Sequence, residues 1–260
     1  MEIISSEQNN KIKNIIKLQD KSRERKKQDL FVIDGLREIQ EALKSGIIIE
    51  EIFICPEIIK EELNLFSDVK TFQVSPSVYK KINYKEKPAG VLAVARPKFL
   101  ELASLKLKKS SLLVILEAVE KPGNLGAIIR SAYAAGVDAI IINNEQTDIY
   151  NPNVIRASEG LIFRLPVVIA SRENTINFLK KENIKVFAAA LIGAKNYVEA
   201  NFKEGSAILL GTESTGLSKE WLKKADEIIK IPMKAGIDSL NVSVSAAVLI
   251  FEAWKQRDFS

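Results

Sequence analysis

The feature that most constrains this chain is an alternation that begins at residue 111. Ser111 to Glu117 is a continuous apolar run that ends in a carboxylate. A run with no polar residue at every second position suits a strand covered on both faces, as in a parallel sheet. Further β-rich stretches are predicted at 139–143, 166–170, 185–191, 206–210 and 227–231. Helical patterns fall between and after them, at 124–135, 152–158, 174–182, 218–224 and 241–256. Parallel strands need crossovers of about a dozen residues or more, and helices supply them. Residues 111–260 are therefore expected to form a mostly parallel α/β domain.

The first half alternates on a smaller scale. Residues 1–28 mix Lys11, Lys13, Lys17, Lys21, Arg23, Arg25, Lys26 and Lys27 with Ile12, Ile15, Ile16 and Leu18. This reads as a basic amphipathic helix, either a solvated face or a nucleic-acid contact. Strands are predicted at 30–33, 47–54, 69–74 and 90–95. Helices are predicted at 37–45, closed by Gly46, after Pro56, and after Ser75-Pro76. Residues 1–96 then make a compact α/β unit, and 97–110 a linker.

Composition excludes several chemistries. The chain has no histidine, so no Ser-His-Asp triad and no His-Cys zinc site can form, and no metal is expected. Acid–base work falls to Lys, Arg, Glu, Asp, Tyr or the substrate. A net charge of +5 leans toward a polyanionic partner. Cys55, the lone cysteine, ends an apolar strand and reads as a core thiol. A cytoplasmic setting is expected from that cysteine usage and the absence of a leader. No apolar run approaches the roughly 18 residues of a membrane span.

Three segments of the second half join an apolar strand to a polar loop and a helix, where open α/β sheets bind ligands. The first runs from Glu117 through Pro122-Gly123-Asn124-Leu125-Gly126 to Arg130. It lacks the dinucleotide G-x-G-x-x-G, and Arg130 taken singly is as readily a surface residue. The second is Leu210-Gly211-Thr212-Glu213-Ser214-Thr215-Gly216-Leu217-Ser218. It is no P-loop. Gly211 can admit a ligand to the backbone, Glu213 can pair with a cation, and Ser218 can be a helix cap. The third runs from Ile231-Pro232-Met233 through Ser239-Leu240-Asn241 to Ser245-Ala246-Ala247. Ser239 or Asn241 can equally serve as caps, and the small residues as a close-packing helix face.

Together and in this order, the segments resemble the three motifs of the SpoU/TrmH branch of the SPOUT RNA methyltransferases. Asn124, Gly126 and Arg130 carry the first motif, and Gly211, Glu213, Gly216 and Leu217 the second. Ile231, Pro232, Met233 and Ser239 through Val244 carry the third. Asn151-Pro152, Val154 to Ser158 and Gly160 resemble the family's central helix. Phe31-Val32-Ile33-Asp34-Gly35 with Arg37 resembles its L30e-like substrate-binding domain. Two positions depart from the family pattern, Lys121 before the first-motif proline and Ala89 before Gly90. Both touch loop chemistry and substrate identity.

The resemblance implies a C-terminal domain tied in a deep trefoil knot, a homodimer, and S-adenosylmethionine as cofactor. It implies cofactor contacts from Gly211, Ile231, Leu240 and Met233. Arg130 would act on the ribose 2′-hydroxyl, with Asn124, Glu213, Ser239 and Asn241 orienting it, the substrate and the cofactor. A guanidinium holds its proton and is an awkward base, so gripping the phosphate and aiming the ribose is the favoured role. Arg37, Lys26 and Arg156 are the expected RNA contacts. The activity implied is methyl transfer to a ribose 2′-hydroxyl of RNA, with 23S ribosomal RNA first and transfer RNA second. A non-catalytic RNA-binding scaffold and a nucleotide-binding oxidoreductase are the rivals. The intact motif residues oppose the scaffold, and the missing dinucleotide fingerprint opposes the oxidoreductase.

Overall fold

The structure, a computed structural model, describes residues 2–59, 69–85, 87–191, 195–212, 215–236 and 239–259. It divides into two compact units. Unit 1 holds Met1–Lys98 and Asp148–Arg164, and unit 2 holds Phe99–Thr147 and Leu165–Ser260. The chain therefore passes between units at three places. This departs from the sequence boundaries: residues 148–164 pack with unit 1, and the stretch read as a linker belongs to unit 2.

Unit 1 has a five-stranded sheet built from β1 (Glu2–Ile4), β2 (Phe31–Asp34), β3 (Ile49–Ile54), β4 (Lys70–Val74) and β5 (Val91–Ala95). Their order is β1-β4-β3-β5-β2. The β1–β4–β3 side is parallel, and β5 runs antiparallel to both β3 and β2. The basic N-terminal stretch is two helices, α1 (Asn10–Asp20) and α2 (Ser22–Gln28), broken at the extended Lys21. Ile12, Ile15 and Leu18 of α1 are fully buried with Phe53, Phe72, Tyr79 and Cys55. The apolar face of this helix is thus core, and its lysines are the outer face. Helix α3 (Leu36–Lys44) follows Gly35, and α4 (Pro76–Ile82) is capped by Ser75. Residues 56–58 form a turn, and the remainder of the helix expected after Pro56 falls on residues outside the described ones.

Residues 148–164 join unit 1 through fixed packing. Arg25, 4% exposed, donates from Nε to Asp148 at 2.6 Å and from Nη1 to the carbonyls of Leu18 and Gln19. The rings of Phe31 and Tyr150 lie 4.3 Å apart. Gly160 has φ +79°, and a Cβ there would stand 3.0 Å from Glu38 Cα. Glycine thereby lets the segment, with α6 (Pro152–Ala157), lie directly on α3.

Unit 2 is a seven-stranded parallel sheet. Its strands are β6 (Leu112–Glu117), β7 (Ala139–Asn143), β8 (Val167–Ile169), β9 (Lys185–Ala189), β10 (Lys195–Asn196), β11 (Ser206–Leu210) and β12 (Glu227–Lys230). The order is β10-β12-β9-β11-β6-β7-β8. Every residue of β6, β7 and β11 is buried, as their unbroken apolar runs predict. Helices α7 (Arg172–Lys181) and α8 (Lys219–Lys224) lie in the crossovers, and fully buried Trp221 of α8 packs with Leu113, Ile115 and Val186. Helices α5 (Pro122–Ala134) and α9 (Val242–Gln256) pack on one another. Leu102, Leu105 and Leu107 of the expected linker pack against the core. Among the described residues no helix is long and apolar enough to cross a membrane.

Candidate cofactor pocket and catalytic edge

Strands β9, β11 and β12 end side by side at Ala189, Leu210 and Lys230, and a cavity of about 670 Å³ opens beyond them. Such a volume lies within the roughly 300–1,000 Å³ of small-ligand sites. Gly211, Ile231, Met233, Ser239 and Leu240 all line it. The chain thus brings five predicted site residues from two separate loops to one cavity. Its walls are mostly aliphatic, with Leu191, Leu210, Leu217 and Ile229 among them, and among the described residues Lys230 is its one charged lining residue. Aliphatic walls suit an adenine ring, and backbone groups just past strand ends can bond its edge. S-adenosylmethionine fits that donor set.

Gly211 has a role that its sequence did not announce. A Cβ on it would stand 2.3 Å from the carbonyl oxygen of Gly216 and 2.7 Å from the amide of Leu217. The backbone that approaches Gly211 is therefore the chain's own. Thr212 N donates to Gly216 O at 3.2 Å, and Gly216 N to Thr212 O at 3.1 Å. These bonds join Thr212 to Gly216, and both line the cavity. Glu213 lies outside the described residues.

The chain just past Leu217 is tied to β6 by a contact that the sequence does not announce. Glu117, 7% exposed at the end of β6, accepts from Ser218 N at 2.8 Å and from Arg172 Nη1 at 3.2 Å. Ser218 Oγ in turn caps α8, accepting from Trp221 N. The one signal for this clamp was a carboxylate closing an otherwise apolar run.

At the N-termini of α5 and α9 the first and third motifs meet. Asn241 caps α9, its Oδ1 accepting from Ser243 N at 2.9 Å, and its Nδ2 donates to Asn124 Oδ1 at 3.2 Å. The cap expected of Asn241 and the site expected of it are the same side chain. Arg130 stands exposed further along α5.

In unit 1, Arg37 and Arg156 line a common groove with Lys85 and Lys87. Lys26, exposed on α2, is not among its lining residues. Among the described residues no group of His, Cys, Asp or Glu is arranged to hold a metal ion.

The SpoU rRNA Methylase family model matches residues 111–251, and the MRM3-like substrate binding domain matches 9–93. The chain is 33% identical over 255 residues to the 23S rRNA (guanosine(2553)-2′-O)-methyltransferase RlmP of Bacillus subtilis, covering 96% of this chain and 98% of that one. A crystal structure of an RNA 2′-O ribose methyltransferase is 36% identical with a TM-score of 0.86, over 98% of this chain and 99% of that chain. An AdoMet-bound rRNA methyltransferase from Sinorhizobium meliloti is 27% identical with a TM-score of 0.88, over 98% and 97% of the two chains. Motifs, cavity and whole-chain likeness agree, and the chain belongs to the SpoU rRNA methylase family.

Proposed function

We propose that the protein transfers a methyl group from S-adenosylmethionine to a ribose 2′-hydroxyl of RNA, with 23S ribosomal RNA as substrate. The observation that carries this is the cavity beyond β9, β11 and β12, lined by residues of the second and third motifs. The Asn241–Asn124 bond joins the first motif to the third. Ribosomal RNA comes first because the Bacillus subtilis relative, which matches along nearly its whole length, is named for 23S rRNA. Transfer RNA stands second.

When bound, the cofactor supplies an electrophilic methyl carbon, so the protein need not generate one. Gly211, Ile231, Met233 and Leu240 would hold it, and the aliphatic walls would exclude water from the cavity. Arg130 grips the phosphate beside the target and aims the ribose oxygen, and Asn124 and Asn241 fix the edge on which this happens. Ser239 lines the cavity and orients the bound group. Glu213 belongs to the same constellation by its place in the second motif. No metal enters the scheme.

In this reading unit 1 is an L30e-like RNA-binding domain, with Arg37, Lys26 and Arg156 as contacts, and the chain beyond β11 and β12 is knotted around the cofactor. The active unit is a homodimer. Tyr133 of α5 and Val244 and Phe251 of α9 are exposed aromatic or aliphatic side chains on the paired helices, which supports an interface there. A cytoplasmic protein meets its ribosomal substrate directly.

The test is incubation with labelled S-adenosylmethionine and unmodified ribosomal or transfer RNA, beside an Arg130→Ala variant. Label in a 2′-O-methylated nucleotide, lost in the variant, supports the reading and names the RNA class. Absence of cofactor binding sinks it and leaves a non-catalytic RNA-binding scaffold.

A further inference from the structure

We propose that the unit 1 groove lined by Arg37, Lys85, Lys87 and Arg156 seats one unpaired nucleotide of the RNA, its phosphate on these cations. The proposal rests on the RNA reading above and adds to it a site and a ligand class. The groove is about 670 Å³ and is lined by residues 35–38, Ile58, Lys85, residues 87–89, Arg156 and Glu159. That volume is ample for a nucleotide, within the roughly 300–1,000 Å³ of small-ligand sites.

The segment that carries Arg156 is placed by packing, and Arg37 and Lys85 are held by carboxylates. Gly160 sets that segment on α3, and the buried Arg25–Asp148 pair anchors its start. Lys85 Nζ lies 2.7 Å from Glu38 Oε1, and Arg37 Nη1 lies 2.5 Å from Glu159 Oε2. Among the described residues, four cations against these two carboxylates leave the groove net positive. Arginine in a fixed orientation suits a phosphate, because its planar fork offers two parallel donors. Leu36, Pro88 and Ala89 add an apolar flank for a base.

A second observation points to a ligand with donors. Glu38 is 4% exposed, and its Oε2 has no hydrogen-bond partner among the described residues. A buried acceptor without a donor is unfavourable. Lys85 occupies Oε1, so a ribose hydroxyl or base amino group of the ligand donates to the open Oε2. A paired RNA helix hides its base edges in a deep narrow groove, whereas loops and bulges splay their bases out. The groove therefore selects an unpaired nucleotide.

The experiment is filter binding of an unmodified 23S rRNA transcript over a salt series, comparing wild type with the Lys87→Ala/Arg156→Ala double variant. Both side chains are exposed, so the core is untouched, and a thermal melt checks this. We expect affinity to fall about tenfold and the salt slope to shrink by about 0.7, for the one phosphate that is no longer neutralised. S-adenosylmethionine binding, which belongs to the other unit, stays as in wild type. Unchanged affinity and slope overturn the groove while methyl transfer, if intact, keeps the enzymatic reading. A fully paired RNA duplex that competes as well as a single-stranded oligonucleotide overturns the unpaired-nucleotide assignment. A groove-dependent slope in a wild-type protein that transfers no methyl group supports the groove and overturns the methyltransferase reading.

Discussion

Asn241 faces two ways: its carbonyl oxygen caps α9 on Ser243 N at 2.9 Å, and its amide reaches Asn124 Oδ1 at 3.2 Å. One side chain thus ends a helix and ties together two motifs that lie far apart in sequence. Aspartate caps a helix as well as asparagine but has no amide to donate. Asn241→Asp is therefore expected to melt within a degree or two of wild type while kcat falls about tenfold or more, since misplacing reacting groups by about 1 Å can cost 10²-fold. Asn241→Ala should lose the cap too, at about 1 kcal/mol of stability. Steady-state kinetics beside thermal melts separate the two effects, and an Asn241→Asp enzyme of full activity refutes the role of the bridge.

Two glycines of the second motif should respond oppositely to alanine. At Gly211 a Cβ meets Gly216 O at 2.3 Å, backbone against backbone, so the Thr212–Gly216 pairing must open. At Gly216 the φ is +67° but nothing lies within 4 Å. Gly216→Ala then carries only the left-handed strain of about 1–2 kcal/mol. Gly211→Ala is expected to weaken S-adenosylmethionine binding about tenfold or more, equal to about 1.4 kcal/mol. Calorimetric titration of the cofactor checks both, and equal affinities for the two variants contradict the account of Gly211.

The Arg25–Asp148 pair is a stability device. With side chains 4% and 10% exposed, truncating one partner strands the other charge in the interior. Arg25→Met should destabilise unit 1 by about 3–5 kcal/mol, and Arg25→Met/Asp148→Asn should recover part of that. Denaturant unfolding followed on unit 1 measures it. The same geometry alters how residues 1–28 are tested for RNA binding. Deleting them removes Ile12, Ile15 and Leu18 from the core, so only point changes at exposed residues such as Lys26 report on RNA.

Asp34 makes the stability of unit 1 depend on pH. Burial pushes its carboxyl above the ordinary 3.8, partly offset by the Tyr84 and Lys85 amides that donate to Oδ2 at 2.7 and 3.2 Å. A carboxyl raised on folding contributes stability that is full below its unfolded value and is lost as pH rises through its folded one. Wild-type stability should therefore fall from about pH 3.8 upward relative to Asp34→Asn. The asparagine carbonyl can still accept both amides, and its amide can donate to the Tyr79 hydroxyl, which lies 3.4 Å from Asp34 Oδ1. Melts of both proteins across that window test the sign, and parallel curves exclude Asp34 as the source.

Much of the second unit was legible because burial is periodic in sequence. The strands predicted at 139–143 and 206–210 are β7 and β11 to the residue. Helices capped by Ser75 and Ser218 begin where the sequence puts those caps, whereas the helix expected at 174–182 starts earlier, at Arg172, on the Ser171 cap. Short edge strands β1 and β10 were not legible. Three residues of Glu2–Ile4 and two of Lys195–Asn196 carry too little pattern, and only pairing with β4 and β12 makes them strands.

Apolar periodicity and cap chemistry act within a few neighbours, so the sequence by itself determined the order of the longer elements and the parallel character of unit 2, and the three motifs were legible through their resemblance to the SpoU/TrmH pattern. Tertiary structure decided the rest. It brought Gly211, Ile231 and Leu240 to one cavity, aimed the Asn241 amide at Asn124, and turned Gly211 toward its own chain. It also moved residues 148–164 out of the unit that flanks them in sequence and set Arg156 beside Arg37. The placement of residues 148–164 depends on a buried ion pair, a glycine lying on α3 and an aromatic pair, each joining residues far apart in the chain. Such interactions exist only once the chain is packed, so no local pattern encodes them.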